Sequence, residues 1–409
     1  MRWLLAPLAV AAAEDFAAHA AARLAREERA CGPWVGRVLE RRGPSLVYER
    51  APTGLADIFS AMLTALWSAT LSGRRLAVHW PESAGTVHLG GREVRRREPA
   101  RLAANATYFK RTHEAFREAL RAGAAGAVPW PGGDPWVVSG NRGLTGWLFD
   151  DAATRAALAA AGVDAKTAVA AAGCALHRLA APSRRAYRDV VRPLLAALDA
   201  RRARGPVVCL HARTGLMPEV EAKKCAPGAS PPPKKRCARP DDEMHGAAAA
   251  VSVADLAGFV ACARAAEAAA GGAATWFFAA DSASLRRDFV ATFGADKVLL
   301  APWAPDPFAA YQHGGGSRGG GRRDSVVPDD GDPDRMRGAL GRTFAEWYAL
   351  SRCDHLVASR SGFSRTAAVV AAATRNATVH YVSRLDASCR RADPGSPTER
   401  LLVTGGAGL

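Results

Sequence analysis

The sequence predicts an α/β protein built as two Rossmann-like units facing a cleft. Three observations carry this expectation. Short apolar runs alternate with helical periodicity through both halves of the chain, which is the pattern of parallel sheets with crossover helices. The pattern restarts after "RRARGP" (201–206), a segment that reads as a hinge. At 409 residues the chain is long enough for two cores.

In order along the chain, Met1-Arg2 precedes the apolar run 3–10 and then Ala11-Ala12-Ala13. A charged start, a short apolar core and small residues form a secretory leader pattern, assigned to residues 1–22. Residues 14–30 are Ala/Arg/Glu-rich and helical in pattern, and Leu46-Val47-Tyr48 reads as a strand. Gly54 then opens a turn, Asp57 reads as an N-cap, and Ile58, Met62, Leu63, Leu66 and Trp67 recur at helical spacing. Gly73 ends that helix before the strand 76–80. The segment 84–150 is mixed, with 137–143 a strand running into a turn, and residues 152–180 and 184–204 read as helices.

The second half opens with a strand at 206–211. A helix at 253–269, a buried strand at 274–280 ending at Asp281, a helix at 284–293 and a short strand at 297–300 follow. Residues 313–334 are Gly/Asp-rich and read as a surface loop. A helix at 338–351, a strand at 355–358, a helix beyond Gly362 and a last strand at 379–382 complete the pattern, and the tail from about residue 390 reads as frayed. The expected division is 1–22 leader, 23–203 N-terminal Rossmann-like unit, 204–392 C-terminal Rossmann-like unit and 393–409 tail.

The net charge of +16 is mostly scattered arginine. No aromatic side chains interleave with the basic clusters, so a nucleic-acid partner is not expected. Two of the three asparagines, Asn105 and Asn376, sit in N-glycosylation sequons. The eight cysteines suit an oxidising compartment, and Cys225 and Cys237 bracket a Pro-rich loop that a disulfide could staple. Cys209, in an apolar strand, and Cys262, in a helix, read most simply as buried thiols. No cysteine pair has zinc spacing, so no metal is expected. No segment beyond the leader reaches membrane-spanning length.

In open α/β sheets, ligands bind at the carboxyl ends of strands. The polar residues there are Gly54 and Asp57, Asn141 and Arg142, His211 and Arg213, Asp281, and Arg360 to Ser364. Arginines beside a hydroxyl-rich helix N-terminus make an anion site, because the helix end and the forked guanidinium both favour phosphate. The chain has neither a Gly-x-x-x-x-Gly-Lys-Ser/Thr loop nor a Gly-x-Gly-x-x-Gly fingerprint in its first βα turn, which argues against P-loop and NAD or FAD chemistry.

The segments "GLADIFSAMLTALWSATLSGRRLAVHW", "VVCLHARTG", "TWFFAADSASLRRDF" and "WYALSRCDHLVASRSGFSRTA" fall in an order and spacing that resembles the GDP-fucose-dependent fucosyltransferases. That superfamily includes protein O-fucosyltransferases, α-1,6-fucosyltransferases and the rhizobial nodulation enzyme. The resemblance spans roughly residues 45–390 and implies a GT-B-like fold and inverting transfer of L-fucose from GDP-fucose to a glycan or protein hydroxyl, without metal or other cofactor.

Its motifs imply that Arg213 holds the diphosphate, that His211 and Asp281 lie by the nucleotide and that Glu346 reads guanine. They also imply that Ser361, Gly362, Phe363 and Ser364 close on the β-phosphate, with Gly54 and Asp57 in the first motif. Glu219 or Glu221, just past the His-x-Arg turn, is the candidate general base. Ala56 stands where the family often has glycine, and Thr214-Gly215-Leu216 replaces a segment where the α-1,6 branch carries a second arginine and an aspartate. The implied partners are the nucleotide sugar and a glycan or glycoprotein acceptor, in the ER/Golgi lumen or outside the cell.

Alternatives are a glycosyltransferase of the same architecture using another nucleotide sugar, an inactive relative, or a secreted polyanion-binding protein suggested by the charge. The acceptor has no readable code.

Overall fold

The computed structural model describes residues 15–23, 25, 34–50, 55–80, 86–89, 92–93, 107–110, 113–126, 136–140, 145–163, 168–213, 252–303, 333–359, 361–382 and 389–392. The strands are β1 Ser45–Arg50, β2 Arg75–His79, β3 Val87–Leu89, β4 Arg92–Glu93, β5 Thr107–Lys110, β6 Trp136–Gly140, β7 Ala181–Pro182, β8 Val207–Ala212, β9 Thr275–Ala280, β10 Val298–Leu299, β11 His355–Ala358, β12 Thr378–Val382 and β13 Cys389–Arg391.

Four of them form a parallel sheet in the order β2-β1-β6-β5. Six form a second sheet in the order β10-β9-β8-β11-β12-β13, parallel except for β13. A small antiparallel sheet joins β4, β3 and β7. The central strands of the second sheet carry nearly unbroken apolar runs, VVCLHA and TWFFAA, which suits strands covered on both faces.

In each large sheet the chain changes its direction of growth beside the first strand. The first sheet grows from β1 to β2, crosses to the far edge at β5 and then comes back to place β6 between β5 and β1. The second grows from β8 through β9 to β10, then returns to place β11 on the other side of β8. A crevice at the carboxyl edge follows from each reversal, because the flanking connections leave in opposite directions.

The Leu55–Leu71 helix is buried along most of its length despite its hydroxyl residues. Ser60, Thr64, Ser68, Thr70 and Ser72 each donate to a carbonyl one turn back, which satisfies their hydroxyl protons. Gly73, at φ +67°, turns the chain into β2. The helix starts at Leu55, so Asp57 is not its N-cap as expected but an exposed residue of its first turn.

One apolar core runs from Leu46 of β1 to Leu356 of β11. Phe59 of the Leu55–Leu71 helix meets Trp347 of the Pro333–Leu350 helix with ring centroids 4.5 Å apart. The Ala168–Leu179 and Gly362–Arg375 helices pack so closely that any Cβ at Gly173 would collide with the Val369 carbonyl. Gly173 is therefore what lets these two backbones touch.

Residues 15–23, most of them within the expected leader, form a helix. His19 Nε2 and Tyr348 Oη share a hydrogen bond of 3.0 Å, and the Phe16 ring lies 5.5 Å from that of Tyr187. Tyr187 opens the π-helical turn Tyr187–Val191, so the single helix expected over 184–204 is irregular. The single helix expected over 152–180 is two, Ala152–Ala160 and Ala168–Leu179.

Three further expectations are corrected. Cys209 and Cys262 are not free thiols: they form disulfides with Cys353 and Cys389. The tail is not frayed at residue 390, because β13 pairs antiparallel with β12 and Cys389 ties it to the Ala257–Ala269 helix. Pro333 and Asp334, expected in the Gly/Asp-rich loop, begin a helix. The rest of that loop, and the Cys225 to Cys237 segment, lie outside the described residues.

Candidate active site

The carboxyl ends of β8, β9 and β11 bring together residues from "VVCLHARTG", "TWFFAADSASLRRDF" and "LVASRSGFSRTA". Arg213 follows β8 and Asp281 follows β9, and their side chains form an ion pair with Nε and Oδ2 3.3 Å apart. Both are partly exposed, at 13% and 17% of their side-chain surface. The pair links the carboxyl ends of β8 and β9.

His211, the penultimate residue of β8, lies beneath them and is buried. Its ring is 4.9 Å from that of Phe363, and its Nδ1 is 3.4 Å from Ser359 Oγ. Desolvation pushes its pKa from 6.5 down to about 3, an effect that Asp281 opposes and that Arg213 and Arg286 reinforce. His211 is thus neutral at physiological pH and acts as a hydrogen-bonding group, not as a charge.

The sign of the pH effect follows. Below pH 6.5 an unfolded chain takes up a proton at His211 that the folded chain refuses until about pH 3. Stability falls across that window, by ~2 kcal/mol between pH 6.5 and pH 5 for a single such group. Denaturation midpoints of the wild type and His211→Asn at pH 7 and pH 5 test this. The wild type loses more stability on acidification than the variant, and equal losses would refute the assignment.

Ser361 caps the Gly362–Arg375 helix and accepts from the Phe363 amide at 3.2 Å. Gly362 is exposed on the helix's first turn, while Phe363 and Ser364 are buried. The Ser364 hydroxyl donates to the Ser359 carbonyl at 3.0 Å. Of the four expected phosphate-gripping residues, Ser361 and Gly362 face outward, and Phe363 and Ser364 shape the loop from within. A Cβ at Gly362 would come within 3.1 Å of Ala56 Cβ. The first turns of the Leu55–Leu71 and Gly362–Arg375 helices therefore converge, one from each sheet, and Ala56 fills the space that Gly362 leaves. Two positive helix ends at one place favour an anion there.

Glu346 lies deeper, on the Pro333–Leu350 helix. Its Oε1 and Oε2 accept from Arg286 Nη1 and Nη2 at 2.9 and 2.8 Å. Oε1 also accepts from Trp303 Nε1 at 3.0 Å. Arg286 Nε in turn donates to the Ala280 carbonyl at 2.7 Å, just before Asp281. The forked guanidinium thus links the Glu346 carboxylate to the end of β9.

Arg286 and Trp303, which hold the Glu346 carboxylate, are not among the candidates expected from the sequence. In sequence Arg286 is one of two adjacent arginines, and Trp303 is an isolated aromatic after a short strand. The position of Trp303 just past β10, at the carboxyl edge, was the one available signal. Gly54, Glu219, Glu221, Asn141, Arg142 and Arg360 lie outside the described residues.

Asp354 accepts from Arg375 at 2.8 Å and pairs with Arg202 at 3.1 Å, below the amino end of β11 and away from this crevice. Among the described residues no three His, Cys, Asp or Glu side chains are grouped to hold a metal ion, and no helix is long and apolar enough to cross a membrane.

No protein-family model matches the chain, and no curated protein matches it. Solved structures do. A mutant of Arabidopsis thaliana FUT1 in complex with GDP is 13% identical, with a TM-score of 0.50 over 92% of this chain and 83% of that one. The chain has a GT-B-like fold.

The fucosyltransferase NodZ from Bradyrhizobium is 13% identical with a TM-score of 0.48, over 86% of this chain and all (100%) of that one. NodZ α-1,6-fucosyltransferase soaked with GDP-fucose gives 12% and 0.49, over 86% and 99%. Arg213, His211 and Gly362 lie at the carboxyl edge of the second sheet, where the Gly362 helix end meets Ala56 of the helix that follows β1.

Proposed function

We propose that the protein is an inverting, metal-independent glycosyltransferase that moves L-fucose from GDP-fucose to a hydroxyl of a glycan or protein. The observation that carries this reading is the anion site at the reversal point of the second sheet. There Arg213 and Asp281 pair past the ends of β8 and β9, His211 of β8 meets Phe363 in the first turn of the Gly362–Arg375 helix, and that helix end converges with the one at Ala56. The GDP in the Arabidopsis FUT1 structure and the GDP-fucose soaked into NodZ agree with a nucleotide-diphosphate ligand.

The acceptor oxygen bonds to the anomeric carbon on the face opposite the diphosphate. The bond from that carbon to the phosphate oxygen breaks, and its electron pair leaves with GDP. The hydroxyl proton passes to a carboxylate, for which Glu219 and Glu221 remain the candidates. Charge grows on the β-phosphate as the bond breaks, and Arg213 with the helix N-termini stabilises it where other enzymes use a cation. Glu346 accepts from the N1–H of the base, and neutral His211 packs against Phe363 beneath the nucleotide.

Residence in the secretory pathway is part of the proposal. It is supported by the apolar start of the chain, by Asn376 exposed at the end of its helix within a sequon, and by the Cys209–Cys353 and Cys262–Cys389 disulfides.

The test is turnover of GDP-fucose, GDP-mannose and UDP-sugars by the purified protein. Acceptors would be Ser/Thr peptides, chitooligosaccharides and an N-glycan core. GDP-fucose is expected to be consumed in preference to the others. No turnover together with no GDP binding would overturn the reading.

A further inference from the structure

Resting on the GDP-fucose reading, we propose that Trp303 sets the base selectivity of the nucleotide site by occupying one of the acceptor positions on Glu346. An ionised carboxylate offers about four lone-pair sites, two per oxygen. Arg286 takes one on each oxygen, and the Trp303 indole N–H takes the second on Oε1. Only one site, on Oε2, is left for a ligand.

Guanine presents two donors on one edge, N1–H and the N2 amino group. Hypoxanthine presents N1–H alone, and adenine lacks an N1–H. A carboxylate with both oxygens open reads the guanine pair and rejects hypoxanthine. Glu346 as held here can accept from only one donor, so guanine's extra amino group gains nothing from it.

The surroundings keep the carboxylate in this state. Its side chain is 9% exposed and that of Arg286 is 5% exposed, so neither swings out without breaking a buried pair. Arg286 is also anchored through Nε to the Ala280 carbonyl. Trp303 is partly exposed and packs against the core, with its N–H turned inward to Glu346. Of the three donor groups on Glu346, the indole is the one whose removal leaves the ion pair intact.

Isothermal titration of GDP, IDP and ADP into the wild type and Trp303→Phe tests the proposal. The phenyl ring keeps an aromatic side chain at this position, though a smaller one, and removes the N–H. The wild type binds GDP and IDP within threefold of each other, and ADP at least tenfold more weakly. In Trp303→Phe the preference for GDP over IDP rises to about tenfold, ~1.4 kcal/mol, as the freed site on Oε1 accepts from the amino group.

A wild-type preference for GDP over IDP of threefold or more overturns the proposal. So does a preference that Trp303→Phe leaves unchanged. If the variant does not fold, the wild-type ratio decides alone. Binding of none of the three nucleotides would instead refute the GDP-fucose reading, and this inference with it.

Discussion

Arg213→Ala lowers the rate of fucosyl transfer by about 10²–10³-fold, the loss typical of removing one donor aimed at a developing negative charge. The effect appears in kcat more than in KM, because the charge on the leaving diphosphate is largest in the transition state. Arg213→Lys restores only part of the rate, since an ammonium is a point charge without the forked geometry. The variant keeps its fold: Arg213 is on the rim, paired to a partly exposed Asp281, and no apolar core depends on it. Steady-state kinetics with GDP-fucose, beside a thermal melt, separate the two effects. A variant within threefold of wild-type kcat would remove Arg213 from the chemistry.

Arg286→Met destabilises the protein by about 3–5 kcal/mol, because it leaves the Glu346 carboxylate buried with only the indole N–H as partner. Glu346→Leu alone has a similar cost, since it strands the guanidinium. The double variant Arg286→Met/Glu346→Leu recovers most of the loss, since two apolar side chains of similar volume can replace a buried ion pair. Its affinity for GDP stays low, because no carboxylate remains to read the base. Urea midpoints and GDP titrations of the three variants check this cycle. A double variant no more stable than either single one would mean that the pair does not act as a unit.

These expectations rest on residues of unequal legibility. The central strands were legible because VVCLHA, TWFFAA and HLVA are apolar beyond what a surface segment tolerates. The ligand edge was legible too, since His211, Arg213, Asp281 and Ser361 each follow such a run. What each of them touches was not legible. Ser364 resembles Ser361 in sequence, yet one hydroxyl is buried against carbonyls while the other caps a helix.

Asp57 looked like a cap because acidic residues favour both the cap and the first turn, and only the start of the hydrogen-bond ladder separates the two. β13 reads CRR and has no apolar signal. It is a strand because β12 offers it an edge and Cys262 holds its first residue.

Local sequence determined most of the elements of this protein and the polar character of the residues at their ends. Each of these follows from periodicity, caps and residue chemistry within about twenty positions. Tertiary structure alone decided the disulfide partners, 144 and 127 residues apart, and the convergence of the two helix ends at Ala56 and Gly362. It also decided that Glu346 is held by Arg286 and Trp303, 60 and 43 residues away. Such contacts depend on how two sheets pack through one core, and no local pattern encodes that packing.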